Sequence, residues 1–503
     1  MRKENLKIAA LLSYAVIIIN SLYGIFIMPY VIGKLGPSEY GVYKIATSFS
    51  GSLLVMDLGI NGTMIRFISK YRAEKNEKKV SNFLAMGMII CACMIGIVIL
   101  AGGIIFNQLP RMYQSSLTGA EFAKLKELFW LMVISVCVTM VGNALNGMIG
   151  GCNAFVYGQS IQAGKLVLRT VAVFGLLSFI QDSVIIVLLD IVLAITCDIT
   201  YYYIARRKLN LRIKLYYWDK QVFYEAAKYT SWSFLQSIIN QFNGNLDNMI
   251  IGSFLGTVAV SVYSIGLTFF TMFSSLASAI SSLMLPTVTN IIHSGASNET
   301  LEDEVIKVGR FQFALLGAAL AGFILVGKDF ITLIYSETYN TAWIISVILM
   351  IPAIFYLIVN VCLSILRAKG KMGFQTIMFA CTAGVNFLIT YFGVQYFGIV
   401  AAAVGTAFSL IVVKLIIMSI YYTKIIQLNM IRIYKGILHK TLICLLLASC
   451  PLIVLRTVWT ELNWKCFMMK CLIFIVVYGI CLLRYGLEDN ERALVSKAFN
   501  RLK

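Results

Sequence analysis

The chain has 503 residues, of which 59% are hydrophobic and only 13% charged, with a mean hydropathy of +0.84. Soluble domains carry about 25% charged residues, so this composition excludes a soluble enzyme, and no G-x-x-x-x-G-K-[ST] phosphate loop is present. The net charge of +19 is read as basic cytoplasmic loops of a polytopic membrane protein rather than as a nucleic-acid footprint.

A helix crosses the hydrocarbon core with about 20 residues. On that length the sequence predicts an all-α chain of about fourteen transmembrane helices. The first, 6–32, is too long for a signal-peptide core, and no A-x-A-like cleavage site follows it, so it is expected to be retained. Then come 40–68, 82–106, 124–150, 159–180 and 182–205. After the basic stretch "RRKLNLRIKLYYWDKQ" the spans resume at 226–252, 258–285, 306–327, 340–366, 373–395 and 398–422. Two more, 440–458 and 464–484, close the series.

An even number of spans puts both termini on one side. The connections "SKYRAEKNEKK" (69–79), "RRKLNLRIK" (206–214), "RAKGK" (367–371) and "KIIQLNMIRIYK" (424–435) all fall on the same face. About 31 of the 42 Lys/Arg lie there and about 8 on the other side, which makes that face, and both termini, cytoplasmic.

The halves of the chain echo one another. "LGPSEYGVYKI" (35–45) aligns with "LGTVAVSVYSI" (255–265), a shift of 220 positions that also pairs Asn20 with Asn240 and Gly24 with Gly244. "YGQSI" (157–161) and "GFQTI" (373–377) form a weaker echo. The expectation is a duplicated six-helix unit: an N-terminal lobe over 1–205, a basic linker over 206–225, a C-terminal lobe over 226–422, and an appended part over 423–503. Both lobes begin on the same side, so they are parallel repeats that can rock about a central cavity and alternate its access.

Polar residues inside the spans are the site candidates. The stretch "NQFNGNLDNMII" (240–251) sits within the seventh span. At 100° per residue, Ser233, Gln236, Ser237, Asn240, Gly244 and Asp247 share one side, with Gln241, Asn243, Asn245 and Asn248 flanking. Phe234, Leu235, Ile238, Ile239, Phe242, Leu246, Met249 and Ile250 fill the opposite arc. Interhelical hydrogen bonding alone is one explanation; the width of the polar face favours a cavity lining. A stripe of small hydroxyls in the eighth span, Ser261, Ser264, Thr268, Thr271, Ser275, Ser278 and Ser282, favours close helix packing, with the lining of a mildly polar cleft as the alternative.

Among the intramembrane charges, Arg169 in the fifth span lies at a depth between Asp190 and Asp198 of the sixth. It either pairs with one of them or faces the cavity and binds an anion. Lys414 has no acidic neighbour in sequence and is the better anion-site candidate. Lys44 lies near one end of the second span. Asp57 and Asp247 are candidate proton or sodium carriers, or partners for those cations. Together with Asn20, Gln236, Asn240 and Gln241, these residues make up the expected substrate cavity.

The twelve cysteines fall almost entirely in apolar segments without a C-x-x-C pair, as buried thiols do. His293 and His439 fall in predicted cytoplasmic loops without a second ligand at metal spacing. No cofactor and no metal is expected, and no Ser-His-Asp set appears. The chemistry reads as binding and movement.

"YVIGKLGPSEYGVYKIATSFSGSLLVMDLGINGTMIRFISKY" (30–71) resembles the opening of the bacterial polysaccharide flippases, the O-antigen or capsular repeat-unit transporters. "DNMIIGSFLGTVAVSVYSIG" (247–266) resembles the start of their second half. That family belongs to the multidrug, oligosaccharidyl-lipid and polysaccharide flippase superfamily. The resemblance implies movement of a polyprenyl-pyrophosphate-linked oligosaccharide from the cytoplasmic to the outer leaflet of a bacterial inner membrane. Polysaccharide polymerase and glycosyltransferases are then expected partners. Two relatives of that reading compete. A lipid II flippase typically concentrates arginines in its first helices, and none occurs here between Leu6 and Tyr30. An ion-coupled multidrug extruder usually has twelve helices and an acidic cavity.

Overall fold

The computed structural model describes residues 12–486, apart from residues 13–14, 17–18, 21, 283, 295–296, 370–372 and 460. Every regular element among the described residues is helical. Eleven of these helices are long and apolar enough to cross a membrane. Exposure follows the same logic: Leu100 and Ile104 are 71% and 66% exposed, while Val98 on the same helix is fully buried. Apolar side chains that face outward along a helix this long are solvated by lipid. Packing divides the chain into two compact units, one running through Ser261 with Val394–Ile399, the other comprising Val262–Gly393 and the chain from Val400 onward.

The first unit holds α1 (Met28–Leu54), α2 (Ile60–Ala73), α3 (Glu77–Tyr113), α4 (Gly119–Gly151), α5 (Phe155–Phe179), α6 (Ser183–Tyr203), α7 (Lys220–Gly244) and α8 (Leu246–Leu255). Two of the spans predicted within this unit are broken, as is 340–366 in the other, which stops at Leu357 and resumes at Val361. The 40–68 span stops at Val55–Asp57 because Leu58 (φ 53) and Gly59 (φ 69) are both left-handed. A left-handed leucine costs about 1–2 kcal/mol, so surrounding packing must hold that corner. The 226–252 span breaks at Asn245 (φ −123, ψ −17), which separates α7 from α8.

The two aligned segments behave alike. Gly36 has φ 78 and ψ 165 inside α1, and Gly256 has φ 80 and ψ −174 just after α8. Only glycine takes that conformation readily, and it turns the chain at the same place in both copies. The wide π-turn at Tyr23–Ile27 likewise corresponds, 220 positions earlier, to the break around Asn245.

The unit boundary falls at Ser261, later than the basic linker, because α7 and α8 pack on α1. A Cβ at Gly41 would collide with the backbone of Thr257, so the two chains touch directly. Tyr113 donates to the Met249 carbonyl (3.1 Å) and Ser116 to the Gly252 carbonyl (2.9 Å). A polar knot ties this end together. Thr118 and Glu121 form a capping box at the start of α4. Glu121 also accepts from Ser38 and from Thr257 (2.6 Å), and Glu39 accepts from the Ser183 amide.

The second unit holds most of α9 (Thr257–Ser282), then α10 (Met284–His293), α11 (Asn298–Tyr335), α12 (Asn340–Leu357), α13 (Val361–Ala368), α14 (Gly373–Phe397), α15 (Ile399–Ile426), α16 (Met430–Val458) and α17 (Trp464–Cys481). The two appended helices, α16 and α17, dock on α11. Gly309 and Gly317 leave room for Ile437 and Leu445 of α16. Lys470 of α17 pairs with Asp329 of α11 at 2.9 Å, and the Tyr478 hydroxyl donates to the Ala314 carbonyl. His439, expected in a loop, lies on α16; the His293 side chain is outside the described residues.

Candidate functional site

Among the described residues, each unit contains a polar cavity lined by its own helices. The cavity of the first unit, about 300 Å³, is lined from α4 by Asn143 and Asn146 and from α5 by Gln162, Lys165 and Arg169. Asp198 of α6 and Asn20 complete its polar wall. Gly142 makes the wall possible: a Cβ there would occupy the position of the Asp198 carboxylate. Arg169 does not reach freely into this space. Its Nε donates to Asp190 Oδ1 (2.6 Å) and its Nη2 to Asp190 Oδ2 (3.0 Å), a bidentate pair. The guanidinium also lies 5.0 Å from the Tyr23 ring centroid. The open choice of partner is thus settled for Asp190. Asp198, two turns further along α6, instead faces the cavity near Lys165.

The cavity of the second unit, about 400 Å³, is built around Lys414. That residue sits in a π-helical stretch of α15, Leu410–Ile417, a widened winding that recurs at functional sites. The ammonium lies 4.7 Å from the Tyr356 ring centroid and 5.2 Å from that of Phe379. Ser274 and Ser278 from α9 and Asn360 from the α12–α13 junction supply hydroxyls and an amide. No carboxylate pairs with Lys414 among the described residues. The serine stripe of α9 therefore has two parts. Ser261 and Ser264 are buried in packing, whereas Ser278 borders this cavity.

The other candidates distribute unevenly. Asn20 and Arg169 line the first cavity and Lys414 the second. Lys44 lies outside both, its ammonium 5.4 Å from the Tyr40 ring centroid. Asp57 is buried at the α1–α2 corner. One of its oxygens accepts from Asn143 Nδ2 at 3.2 Å, and the other has no hydrogen-bond partner among the described residues. Since Asn143 also lines the first cavity, Asp57 sits one side chain behind its wall.

The polar face around Asp247 is a different matter. Gln241 donates to Ser52 (3.3 Å) and accepts from Asn245 (2.9 Å), while Asn248 donates to Ser48 (3.3 Å). Asp247 is only 3% exposed and borders neither cavity. Where it is described, this face is an interhelical contact with α1. The cause is Gly51, whose missing side chain lets the Gln241 amide lie against the α1 backbone. The Gln236 and Asn240 side chains lie outside the described residues.

Sequence reasoning did not reach the Lys414 surround. Tyr356 and Asn360 stand four residues apart and so share a face, but nothing in their order joins them to Phe379 or Lys414. It also passed over Lys165 and Gln162, which are three apart on one turn of α5.

The model of the family described as polysaccharide biosynthesis protein matches residues 8–292. A putative O-antigen transporter from Shigella flexneri is 21% identical over 394 residues, covering 77% of this chain and 90% of the relative. The teichuronic acid biosynthesis protein TuaB from Bacillus subtilis is 23% identical over 409 residues, covering 78% and 76%. Among solved structures, the lipid II flippase MurJ in an inward closed conformation superposes with a TM-score of 0.72. It has 15% identity and covers 94% of this chain and 97% of its own. At that identity the likeness concerns the fold alone.

Proposed function

We propose that this chain, which belongs to the polysaccharide biosynthesis protein family, is a flippase for polyprenyl-pyrophosphate-linked oligosaccharide repeat units. It carries them from the cytoplasmic to the outer leaflet of the inner membrane for surface polysaccharide assembly. The observation that carries this reading is Lys414. It is a cation within a membrane helix, without a carboxylate partner among the described residues, facing hydroxyls, an amide and aromatic rings. A lysine at the helix centre costs about 2.5–3.5 kcal/mol on insertion scales, and such residues mark substrate pathways. A diphosphate supplies the countercharge. Serine and asparagine side chains suit sugar hydroxyls.

In this reading the two six-helix lobes, 1–205 and 226–422, rock to expose the substrate on either side. Both termini face the cytoplasm, in keeping with the basic connections. The protein binds and moves its substrate without a catalytic step. Glycosyltransferases build that substrate on one side, and a polymerase consumes it on the other. Asp57 is our candidate for coupling to a proton gradient, in preference to Asp247, because it borders the first cavity through Asn143.

The test uses cells depleted of the protein and complemented with wild type or Lys414→Ala. Lipid-linked repeat units reachable by a membrane-impermeant reagent are measured at the outer leaflet. Wild type is expected to restore them, and Lys414→Ala to leave them facing the cytoplasm. Normal outer-leaflet levels in depleted cells would overturn the reading. For the coupling step, Asp57→Asn is expected to keep substrate binding while transport stops responding to a collapsed proton gradient; a retained response removes Asp57 from that role.

A further inference from the structure

α16 is 29 residues long, about 43 Å at 1.5 Å per residue, whereas the hydrocarbon core is only about 30 Å thick. The uncharged, mostly apolar part of α16 begins at Thr441. The first turns, from Met430 to Lys440, therefore stand at headgroup level. The positive-inside pattern places that end on the cytoplasmic side.

Here α11 and α16 enclose a groove of about 630 Å³. Gly436 packs against Ile306 at its floor, where a Cβ would press on the isoleucine. Its charged lining is entirely basic or histidine: Arg310 from α11, and Arg432, Lys435, His439 and Lys440 from α16. Arg432, Lys435 and His439 fall on one face, spaced three and four apart, and Lys440 stands at its edge, four residues after Gly436. Arg432 is anchored. It donates to Glu302 (2.9 Å) and Asp303 (2.8 Å) of α11, and Glu302 also accepts from the Asn429 amide. These two carboxylates hold the helices together outside the lining. Lys435, His439 and Lys440 are exposed and have no carboxylate partner among the described residues.

The same face continues into the membrane as exposed apolar surface. On α16, Ile443 and Leu447 follow His439 at four-residue steps and are both exposed. A basic cup at headgroup level above an exposed apolar ridge matches an amphiphile with an anionic head and acyl tails.

We propose that this groove binds an anionic phospholipid of the cytoplasmic leaflet, its phosphate held by Lys435, His439 and Lys440 and its chains lying along Ile443 and Leu447 of α16. Basic pockets between membrane helices on the cytoplasmic side recognise such headgroups. The lipid is a resident of the groove and distinct from the transported substrate, whose proposed anion site is at Lys414. It would clamp the appended helix α16 to α11 at the end where Glu302 and Arg432 already meet.

The test is native mass spectrometry of the purified full-length protein titrated with phosphatidylglycerol or phosphatidylcholine. Wild type is expected to retain phosphatidylglycerol at least tenfold more strongly. The variant Lys435→Ala/His439→Ala/Lys440→Ala is expected to lose that preference, and Lys435→Arg/Lys440→Arg to keep it. Equal retention of both lipids, or an unchanged preference in the triple alanine variant, overturns the proposal. Displacement by millimolar inorganic phosphate alone would assign the groove to a free anion. Displacement by equimolar polyprenyl diphosphate would assign it to the transported substrate. Either result also overturns the proposal. The Lys414→Ala experiment is independent of all these outcomes.

Discussion

Both units hold a half-buried cation within a membrane helix, and they treat it in opposite ways. Arg169 is held by both oxygens of Asp190, and the cavity beside it also contains Lys165 and Asp198, so positive and negative groups face each other. Lys414 has aromatic rings in place of a carboxylate, and its cavity walls are hydroxyl and amide. A paired charge contributes mainly to holding its helices in place. One stabilised only by ring faces, worth about 0.5–2 kcal/mol, retains its attraction for an anion. Under the proposed function the second cavity is therefore the stronger candidate for holding a diphosphate, and the first is the more structural of the two.

The most severe way to break this contrast is to unpair Arg169. Asp190→Asn is expected to destabilise the first unit by about 1–3 kcal/mol, the cost of leaving a half-buried charge without its partner. Replacing both partners, Arg169→Leu with Asp190→Leu, should recover most of it, measured as the thermal midpoint in detergent. A double variant that remains folded but cannot transport would instead make Arg169 a substrate ligand.

The next effect concerns function alone. Lys414→Met keeps the length of the side chain and removes its charge. Transport is expected to fall roughly tenfold or more, since a hydrogen bond to a charged group is worth about 1.5–3 kcal/mol. The thermal midpoint should stay or rise, because no partner is left stranded. A fall in midpoint with full transport would reverse the roles of the two cations.

A smaller change sharpens the aromatic part. Tyr356→Leu removes one ring face from Lys414 and is expected to slow transport roughly threefold, on a cation–π worth of about 0.5–1 kcal/mol. Tyr356→Phe, which keeps the ring, should act as wild type in the same assay.

The smallest effect belongs to an exposed pair, which gauges how much the membrane interior matters. Asp182, in the loop before α6, lies 2.7 Å from Lys124. Burial opposes its charge, but hydrogen bonds from Lys124 and the Val184 amide outweigh that and hold its carboxyl below the usual range. A depressed carboxyl stabilises the fold above its unfolded value, about 3.9, and that contribution is lost as pH falls through the folded value. Because the pair is solvent-screened, Lys124→Ala should cost less than about 1 kcal/mol at pH 7. The difference from wild type should begin to shrink in melts below about pH 4 and vanish once pH passes the lower folded value; a difference that does not shrink on acidification would exclude the ion pair as its cause.

Composition and patterning alone carried the broad architecture. Low charge and long apolar runs dictate membrane helices, because backbone groups in lipid must be satisfied within the segment. The 220-position echo also held local meaning: Gly36 and Gly256 turn the chain with the same backbone conformation. Such features are legible because they depend on residues near one another in sequence. The sites were legible only in part. Lys414 stood out by lacking an acidic neighbour in sequence, which the three-dimensional surround repeats. The fate of Arg169, by contrast, depended on which of two aspartates a neighbouring helix turned toward it. The polar face around Asp247 read as a cavity lining because a straight helix was assumed. The break at Asn245 and the bare backbone at Gly51 made its described part a helix contact instead. Helical periodicity tells which residues share a face, but only packing decides what that face meets. For this chain, it decided which intramembrane charge was paired and which was left facing an open cavity.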